Sequence, residues 1–347
     1  MRTSIIASSV VILLCCLSFD GYAQENTKLG QSGFKFLSVV SDARAAAMAD
    51  AMTSLQTGSR ALFFNPAGMA LMDRFVDVSA SKNQWIADIT HYTFSAAIRP
   101  FNGDYGVIGF SLQSVDYGDF YGTRVDRSIE AGYDETGIFT LHALAVGVGY
   151  AKQLTDRFSV GGHVRWVRQD LGQSMIAVNI RPDPTNPDPT ARIADTVLTS
   201  NKVSPFVFDL GTEYRTGLKS FVFAMSVRNF SSEVKYAEEG FQAPLTFTLG
   251  ISMDLLDLVD KASFEQSLYA SIDASHYRDH PEQVKFGFEY TLMRTFSLRG
   301  GYKTNSDDDG WSFGVGVSQF GFDFDYARTS FGVFNTVQRL TVGFHLE

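Results

Sequence analysis

The chain has 347 residues and a formal net charge of −9, with 38 acidic and 29 basic residues. This acidic balance, without a cluster of Lys and Arg, argues against nucleic acid as a partner, because nucleic-acid-binding proteins carry a basic stripe. The 30 Phe, 14 Tyr and 30 Gly favour strands and tight turns, and a mean hydropathy near zero excludes a bundle of membrane helices.

The first 23 residues have the pattern of an export signal. Arg2 supplies the positive charge, residues 5–17 are largely apolar, and Gly21-Tyr22-Ala23 places small residues where a signal peptidase reads. We expect cleavage before Gln24, so that residues 1–23 are a signal peptide. The alternative is a membrane anchor, for which the apolar run is short.

Both cysteines of the chain, Cys15 and Cys16, lie inside this signal. Neither follows the small residue that a lipoprotein signal normally requires, so lipidation is the less favoured alternative. The mature chain is then expected to contain no cysteine. An exported protein without disulfides needs another source of stability, such as a closed sheet without free edges.

Residues 24–72 differ from the rest of the chain. Ser41 or Asp42 can cap a helix, and residues 43–53 have strong helical propensity. Asn65-Pro66 then interrupts the helical pattern, because proline disfavours a helical conformation in the residue before it. The sequence therefore predicts a short helix of small residues, followed by a sharp break.

From residue 73 onward, apolar and polar residues alternate with period two, the pattern of β-strands. We predict fourteen strands, an even number that is typical of a bacterial outer-membrane barrel, and many are about ten residues long, enough to cross a bilayer. The predicted strands are residues 73–81, 88–99, 104–115, 138–153, 158–170, 203–216, 219–230, 243–255, 266–277, 282–293, 295–304, 311–319, 321–329 and 336–346.

The connections between these strands alternate in length. Those on the side of the N-terminus are short, apart from residues 256–265, and the opposite side has the long segments 116–137 and 171–202. Short periplasmic turns and long outer loops are typical of outer-membrane barrels. We expect the two long segments to be irregular, with the Pro-rich residues 181–189 forming either a disordered tip or an extended contact surface.

Alternation alone does not decide which face contacts lipid, since soluble barrels such as lipocalins turn their apolar face inward. Fourteen strands enclose more space than side chains can fill, and the polar face has too many charges for a dry core. Aromatic residues also lie near strand ends, where interfacial girdles form. We therefore predict an all-β fold, a 14-stranded antiparallel transmembrane β-barrel of residues 73–347 in contact with outer-membrane lipids, rather than a soluble β-sandwich. The charged residues of the polar face are Arg99, Asp209, Glu213, Asp254, Asp273, Lys285, Glu289, Arg299, Lys303, Asp323 and Asp325.

The N-terminal segment is predicted to occupy this lumen. We expect residues 24–72 to form a helical plug whose helix packs against the small-residue face of strand 138–153. A group of large apolar residues in the plug either lines a small apolar pocket or anchors the plug to the wall. These residues are Leu62, Phe63, Phe64, Met69 and Met72.

Catalytic and metal-binding patterns are weak. The chain has no G-x-S-x-G motif, and we predict no enzyme activity, no catalytic residues and no cofactor, although a Ser/His pair brought together in the lumen stays open. Residues 305–310 resemble the start of a calcium loop, but Gly316 stands where the closing Glu is required. A solvated acidic hairpin without a metal site is the favoured interpretation.

The N-terminal segment also resembles a known family. SDARAAAMADAM followed by SRALFFNPAGMA is similar to the N-terminal signature of the PorV/PorQ family, and its NPAG element is similar to that of FadL-like fatty-acid transporters. Ala47 and Ala49 stand where glycines are usual, and Thr57-Gly58-Ser59 replaces an acidic pair. The matching residues are Ala43, Arg44, Ala45, Ala46, Met48, Asn65, Pro66, Ala67 and Gly68.

The resemblance implies a FadL-like barrel with an N-terminal hatch in the outer membrane. It further implies a role in type IX secretion, in which the protein binds and shuttles the C-terminal signal domains of secreted cargo together with other secretion-system subunits. The alternative is a FadL-like transporter of long-chain fatty acids or other hydrophobic small molecules. A third possibility is a structural subunit that occludes the side of a larger translocon.

Overall fold

The computed structural model of the protein describes residues 32–125, 130–182, 184–185, 192–236, 239–259, 265–306, 309–334 and 336–346. The predicted signal peptide and most of the Pro-rich segment 181–189 lie outside the described residues. No helix in these ranges is long and apolar enough to cross a membrane.

The alternating sequence folds into antiparallel strands. They are Val76–Gln84 (β1), Thr90–Ile98 (β2), Val107–Val125 (β3), Tyr133–Thr155 (β4), Phe158–Pro182 (β5), Arg192–Val203 (β6), Phe206–Arg215 (β7), Val222–Ser231 (β8), Val234–Lys235 (β9), Gly240–Phe241 (β10), Thr246–Asp254 (β11), Gln266–Tyr277 (β12), Gln283–Leu292 (β13), Phe296–Lys303 (β14), Asp309–Gln319 (β15), Phe322–Phe331 (β16) and Thr336–Leu346 (β17).

Fourteen of these strands close into one antiparallel barrel, as predicted. The first and last barrel strands pair from Val76↔Leu346 to Gln84↔Gln338, which closes the sheet without a free edge in the wall. β6 pairs with the outer part of β5 only, and β9 and β10 form a separate small hairpin. The predicted strands 266–277 and 336–346 coincide with β12 and β17.

The two long outer segments differ from the prediction. Instead of irregular loops, both contain paired strands: β3 and β4 remain paired as far as Val125↔Tyr133, and β5 pairs with β6 as far as Pro182↔Arg192. The outer part of β4 is exposed on both faces. A strand with water on both sides does not alternate apolar and polar residues, so the period-two pattern fails there.

The barrel turns its apolar face outward, as predicted. Leu210 and Phe288 are 64% and 50% exposed on the outer surface, whereas the neighbouring Asp209 and Glu289 are 1% and 5% exposed in the lumen. Apolar side chains outside and charges inside are the arrangement that a lipid bilayer requires.

The segment before β1 fills the lumen. It contains one α-helix, Ala43–Ala47 (α1), and 3₁₀-helices at Lys35–Ser38, Gly58–Phe63 and Pro66–Leu71. Further 3₁₀ turns connect strands at Ile86–Asp88, Pro100–Gly103, Leu255–Leu258 and Gly332–Phe334. We call residues 32–72 the plug.

The plug helix is shorter than the sequence suggests. Asp42 caps it, since its Oδ1 accepts a hydrogen bond from the backbone N–H of Ala45 at 2.8 Å. The helix ends because Ala49 and Asp50 have φ values of 52° and 64°, in the left-handed region that glycine tolerates best. Ala49 therefore stands at a position where a glycine, usual in the resembling family, would be less strained.

Glycines of the wall form the seat of the plug. The prediction that the helix packs on strand 138–153 is wrong. Instead, α1 and the turn after it pack on Gly287, Gly301 and Gly314 of β13 to β15. Leu62 packs on Gly149 of β4 instead. The period-two pattern identifies strands with a face of small residues but not the strand on which the helix packs, because several strands have such a face.

Gly161 and Gly162 provide a direct test of this seat. A Cβ at Gly161 would lie 2.5 Å from the backbone N of Ala67, whereas at Gly162 the nearest atom is 3.6 Å away on the lipid side. We expect Gly161→Ala to destabilise the plugged barrel by about 1–3 kcal/mol, the usual cost of overpacking. Gly162→Ala is the matched control and should change stability little. Urea unfolding in lipid vesicles, followed by tryptophan fluorescence, measures both, and equal stabilities would contradict a close-fitting seat.

Candidate functional site: the plugged lumen and the outer arms

The plug runs the full height of the barrel. At the outer end, the backbone N of Gly33 donates to the carbonyl of Gln242 at 3.0 Å, and Lys35 forms an ion pair with Asp279. Toward the periplasmic end, the backbone N–H of Ser59 donates to Oδ1 of Asp77 on β1 at 2.8 Å. The plug is therefore anchored at both ends.

A buried ionic network fixes the periplasmic half of the plug. Arg44 donates to both oxygens of Glu289, at 2.7 and 2.8 Å. The same carboxylate accepts from Arg299, which also donates to Asp325 at 2.6 Å. A bidentate arginine–carboxylate pair adds orientation as well as energy, so it fixes the angle of α1. Sequence analysis missed this pair because its partners are 245 residues apart.

Arg60 extends the network to the helix cap. Its Nη1 lies 3.1 Å from Asp325 on the wall and 3.3 Å from Asp42, the residue that caps α1. All three side chains are nearly buried. Arg60 thus connects the start of the helix to the wall.

At Asp50, the polarity is reversed: the plug supplies the acid and the wall supplies the cations. Asp50 lies 3.3 Å from Lys303 and 3.9 Å from Lys285, both on the wall. Burial would raise the pKa of the Asp50 carboxyl, but the nearby cations, Lys303 foremost, outweigh it and lower that pKa below its ordinary value. Asp50 therefore remains ionised and paired.

The Asn-Pro-Ala-Gly residues form a tight turn on the wall. Asn65 accepts from the N–H of Ala67 at 3.1 Å and donates to the carbonyls of Thr53 and Thr212, at 2.8 and 3.1 Å. Pro66 lies against Gly161. Asn65 thus bonds two parts of the plug and the strand β7 with one side chain. Of the other motif residues, Ala43, Ala45, Ala46 and Met48 are buried in and after α1.

The five large apolar residues of the plug divide into two groups. Leu62, Met69 and Met72 pack with small residues of the wall such as Ala97 and Ala151. Phe64 packs with Met48, Met52 and Leu55 inside the plug, with Phe63 beside it. The cavity that Phe63 and Phe64 help to line measures about 20 Å³, room for about one water molecule.

A Ser/His/Asp chain, which sequence analysis left open, is present in the wall. Ser111 Oγ lies 2.8 Å from His163 Nε2, and His163 Nδ1 lies 3.0 Å from Asp209. All three residues are 1% exposed, and Arg165 also donates to Asp209 at 2.7 Å. None of the three lines the cavities described below. The contacts cross-link β3, β5 and β7.

Cavities lie on both sides of the plug. Two, of about 600 and 360 Å³, lie on the periplasmic side and share Arg44 and Gln56 in their walls. A third, of about 310 Å³, lies on the outer side and is lined by Trp85, Lys303 and Arg339 among others. It shares no lining residue with the two periplasmic cavities.

The wall next to the plug is continuous. β2 and β3 stay in register from Ile98↔Ile108 to Thr90↔Asp116, and β3 and β4 from Val107↔Ala151 to Asp116↔His142. These described strands leave no lateral gap at membrane depth.

Two paired extensions project from the outer end of the barrel. The β3–β4 arm, Asp116–Val125 with Tyr133–His142, extends about 30 Å beyond the last pairing of β4 with β5. Its exposed surface is rich in apolar rings: Phe120 and Phe139 stack with centroids 5.6 Å apart, and Tyr121 is 76% exposed. The second arm pairs the outer part of β5 with β6.

Comparisons with known proteins agree with this architecture. The family model described as "Type IX secretion system protein PorV" matches residues 22–267. Among solved structures, the toluene transporter TbuX of Ralstonia pickettii has a TM-score of 0.56 at 13% identity, with 92% of this chain and 100% of that chain covered. The toluene transporter TodX of Pseudomonas putida has a TM-score of 0.57 at 13% identity over 91% and 98% of the two chains.

A FadL homologue of Pseudomonas aeruginosa is similar as well, with a TM-score of 0.53 at 12% identity over 88% and 98% of the two chains. Identities this low show a shared barrel fold alone. No curated protein matches the chain significantly.

The ionic network predicts how the plug is held. With 1–23 removed, Ser59→Cys would introduce the only thiol, at a side chain that is 0% exposed. We expect Arg60→Met to speed maleimide labelling of this thiol at least about tenfold, because breaking a buried ion pair costs about 3–5 kcal/mol. Arg328→Met, which removes an exposed arginine of β16, is the control. Equal labelling rates in the two variants would show that Arg60 does not hold the plug.

Proposed function

The chain belongs to the PorV family of type IX secretion proteins in the outer membrane, and we propose that it binds cargo proteins on its outer arms and shuttles them to surface attachment. The recognised part of the cargo would be the C-terminal signal domain. The barrel would be the membrane anchor for this binding surface, and other secretion-system subunits would be its partners.

The observation that carries this proposal is the combination of a filled lumen with a projecting aromatic arm. The plug is bonded at both ends and paired to the wall in its middle, so the barrel offers little room for passage. The β3–β4 arm instead presents stacked Phe120 and Phe139 to the exterior, and aromatic residues are enriched in protein interfaces. This distribution favours binding outside the barrel over transport through it.

The alternative is transport of hydrophobic small molecules, as in the toluene transporters that share this fold. Such a path needs connected apolar lining and an exit. The apolar plug residues Leu62, Met69 and Met72 are packed against the wall, and β2 to β4 are continuously paired. These features support the secretion role over the transport role.

The test compares surface and periplasmic proteomes of a strain lacking this gene with those of its parent. We expect proteins that share a C-terminal signal domain to disappear from the surface and accumulate in the periplasm. A chain with Phe120→Ser and Phe139→Ser should restore normal barrel levels in the membrane but not surface display.

The matched control changes an aromatic pair at the opposite end. Phe101 and Tyr105 also have ring centroids 5.6 Å apart, on a periplasmic turn, so Phe101→Ser with Tyr105→Ser should restore display. If both double variants restore surface display, the β3–β4 arm is not the cargo-binding surface. If the deletion strain has an unchanged proteome but takes up less labelled fatty acid or toluene than its parent, the secretion role is wrong and the transport role is supported.

A further inference from the structure

Arg339 on β17 is a buried cation with an incomplete set of partners. It is 4% exposed; its Nε donates to the carbonyl of Val40 and its Nη1 to the hydroxyl of Thr329, each at 2.8 Å. Both acceptors are neutral, and the guanidinium lies 5.4 Å from the ring of Trp85. Among the described residues, no carboxylate lies within 4 Å of it.

The acids nearby are already engaged by other cations. Asp50 lies 3.3 Å from Lys303, and Asp309 lies 2.7 Å from the same lysine. Lys35, the other cation of the cavity lining, is paired with Asp279. Among the described residues that line the outer cavity, Arg339 is therefore the lysine or arginine without an ion pair.

The guanidinium keeps its proton at physiological pH, so its charge has to be offset by its surroundings. The ring of Trp85 and the more distant acids offset part of it, and an anion in direct contact would offset more, because a buried charge without an ion-pair partner is costly. The guanidinium has N–H groups left on Nη1 and Nη2, in the fork geometry that fits the two oxygens of a carboxylate.

The space for such an anion is next to Arg339. The outer cavity of about 310 Å³ is lined by Arg339 together with Trp85, Val39 and Val40. Its volume is at the lower end of the range for small-molecule sites, about 300–1,000 Å³. A single unpaired guanidinium fits a monoanion better than a dianion, and the Val and Trp side chains fit a short apolar body.

We propose that this cavity binds a carboxylate through the guanidinium of Arg339, with Trp85 and the two valines against its apolar part. The carboxylate belongs either to a small organic acid or to the C-terminus of an extended peptide that enters from outside. The site is independent of the cargo surface on the outer arms.

Trp85 provides the signal for a binding test. The chain has three tryptophans, so Trp166→Phe and Trp311→Phe leave Trp85 as the only one in the purified, detergent-solubilised barrel. Benzoate, acetylated tetra-alanine with a free C-terminus, its C-terminal amide and inorganic phosphate are titrated separately. We expect saturable fluorescence changes with one or both carboxylates and none with the amide.

Arg339→Gln should weaken carboxylate binding at least about tenfold, because it removes the charge and the fork. Arg339→Lys retains the charge and serves if the glutamine variant does not fold; it should bind less tightly than the parent. Arg328→Gln is the matched control, since Arg328 pairs with Gln338 on the neighbouring strand but is exposed outside the barrel.

Preference for benzoate or for the peptide identifies the source of the carboxylate. Tighter binding of phosphate than of either carboxylate would overturn the ligand class. No saturable response in the folded parent, or unchanged affinity in both Arg339 variants, would overturn the site. The assay contains no cargo, so its result does not depend on the secretion role.

Discussion

The plug occupies the lumen of this barrel between the cavities on its two sides, and most of the charges buried against it are paired within the protein. The wall presents the acids Glu289 and Asp325 to Arg44 and Arg60 of the plug, and Lys303 and Lys285 to Asp50 farther out. At the outer end the plug is again the cationic partner, since Lys35 pairs with Asp279. Reversing the plug would bring Arg44 toward lysines and Asp50 toward acids, so these ion pairs favour the observed orientation.

Close packing then sets how deep the plug can lie. Ion pairs with bidentate geometry tolerate little displacement, so the backbone of the plug must approach the wall within van der Waals distance. Gly161 permits this approach at Pro66 and Ala67, Gly287 and Gly301 permit it in the turn after α1, and Gly314 permits it at Ala47 of α1. The shortness of the helix follows from the same fit, because the chain turns at Ala49 and Asp50 to bring Asp50 to the wall lysines.

Much of the fold could be predicted from the sequence, since strands with lipid on one side and a polar lumen on the other must alternate. The same rule explains where prediction failed. The outer arms have solvent on both faces, so the pairing of Val125 with Tyr133 leaves no periodic signal. The partner strands of α1 and the pair Arg44–Glu289 depend on tertiary contacts across some 245 residues, which one sequence does not encode locally. Arg339 was missed because its feature of interest, neutral partners and no adjacent carboxylate among the described residues, depends on tertiary contacts.

Three buried charged side chains have no ion pair within the described residues, and they are not equivalent. Both carboxylate oxygens of Glu213 have no hydrogen-bond partner, Asp273 accepts from the backbone N–H of Thr53 only, and Arg339 has neutral partners only. A carboxylate can take up a proton and become neutral, so Glu213 needs no ligand to be tolerated. A guanidinium remains charged at any physiological pH. Arg339 is thus the one of these three groups that proton uptake cannot neutralise, and for that reason we propose an external anion at this position.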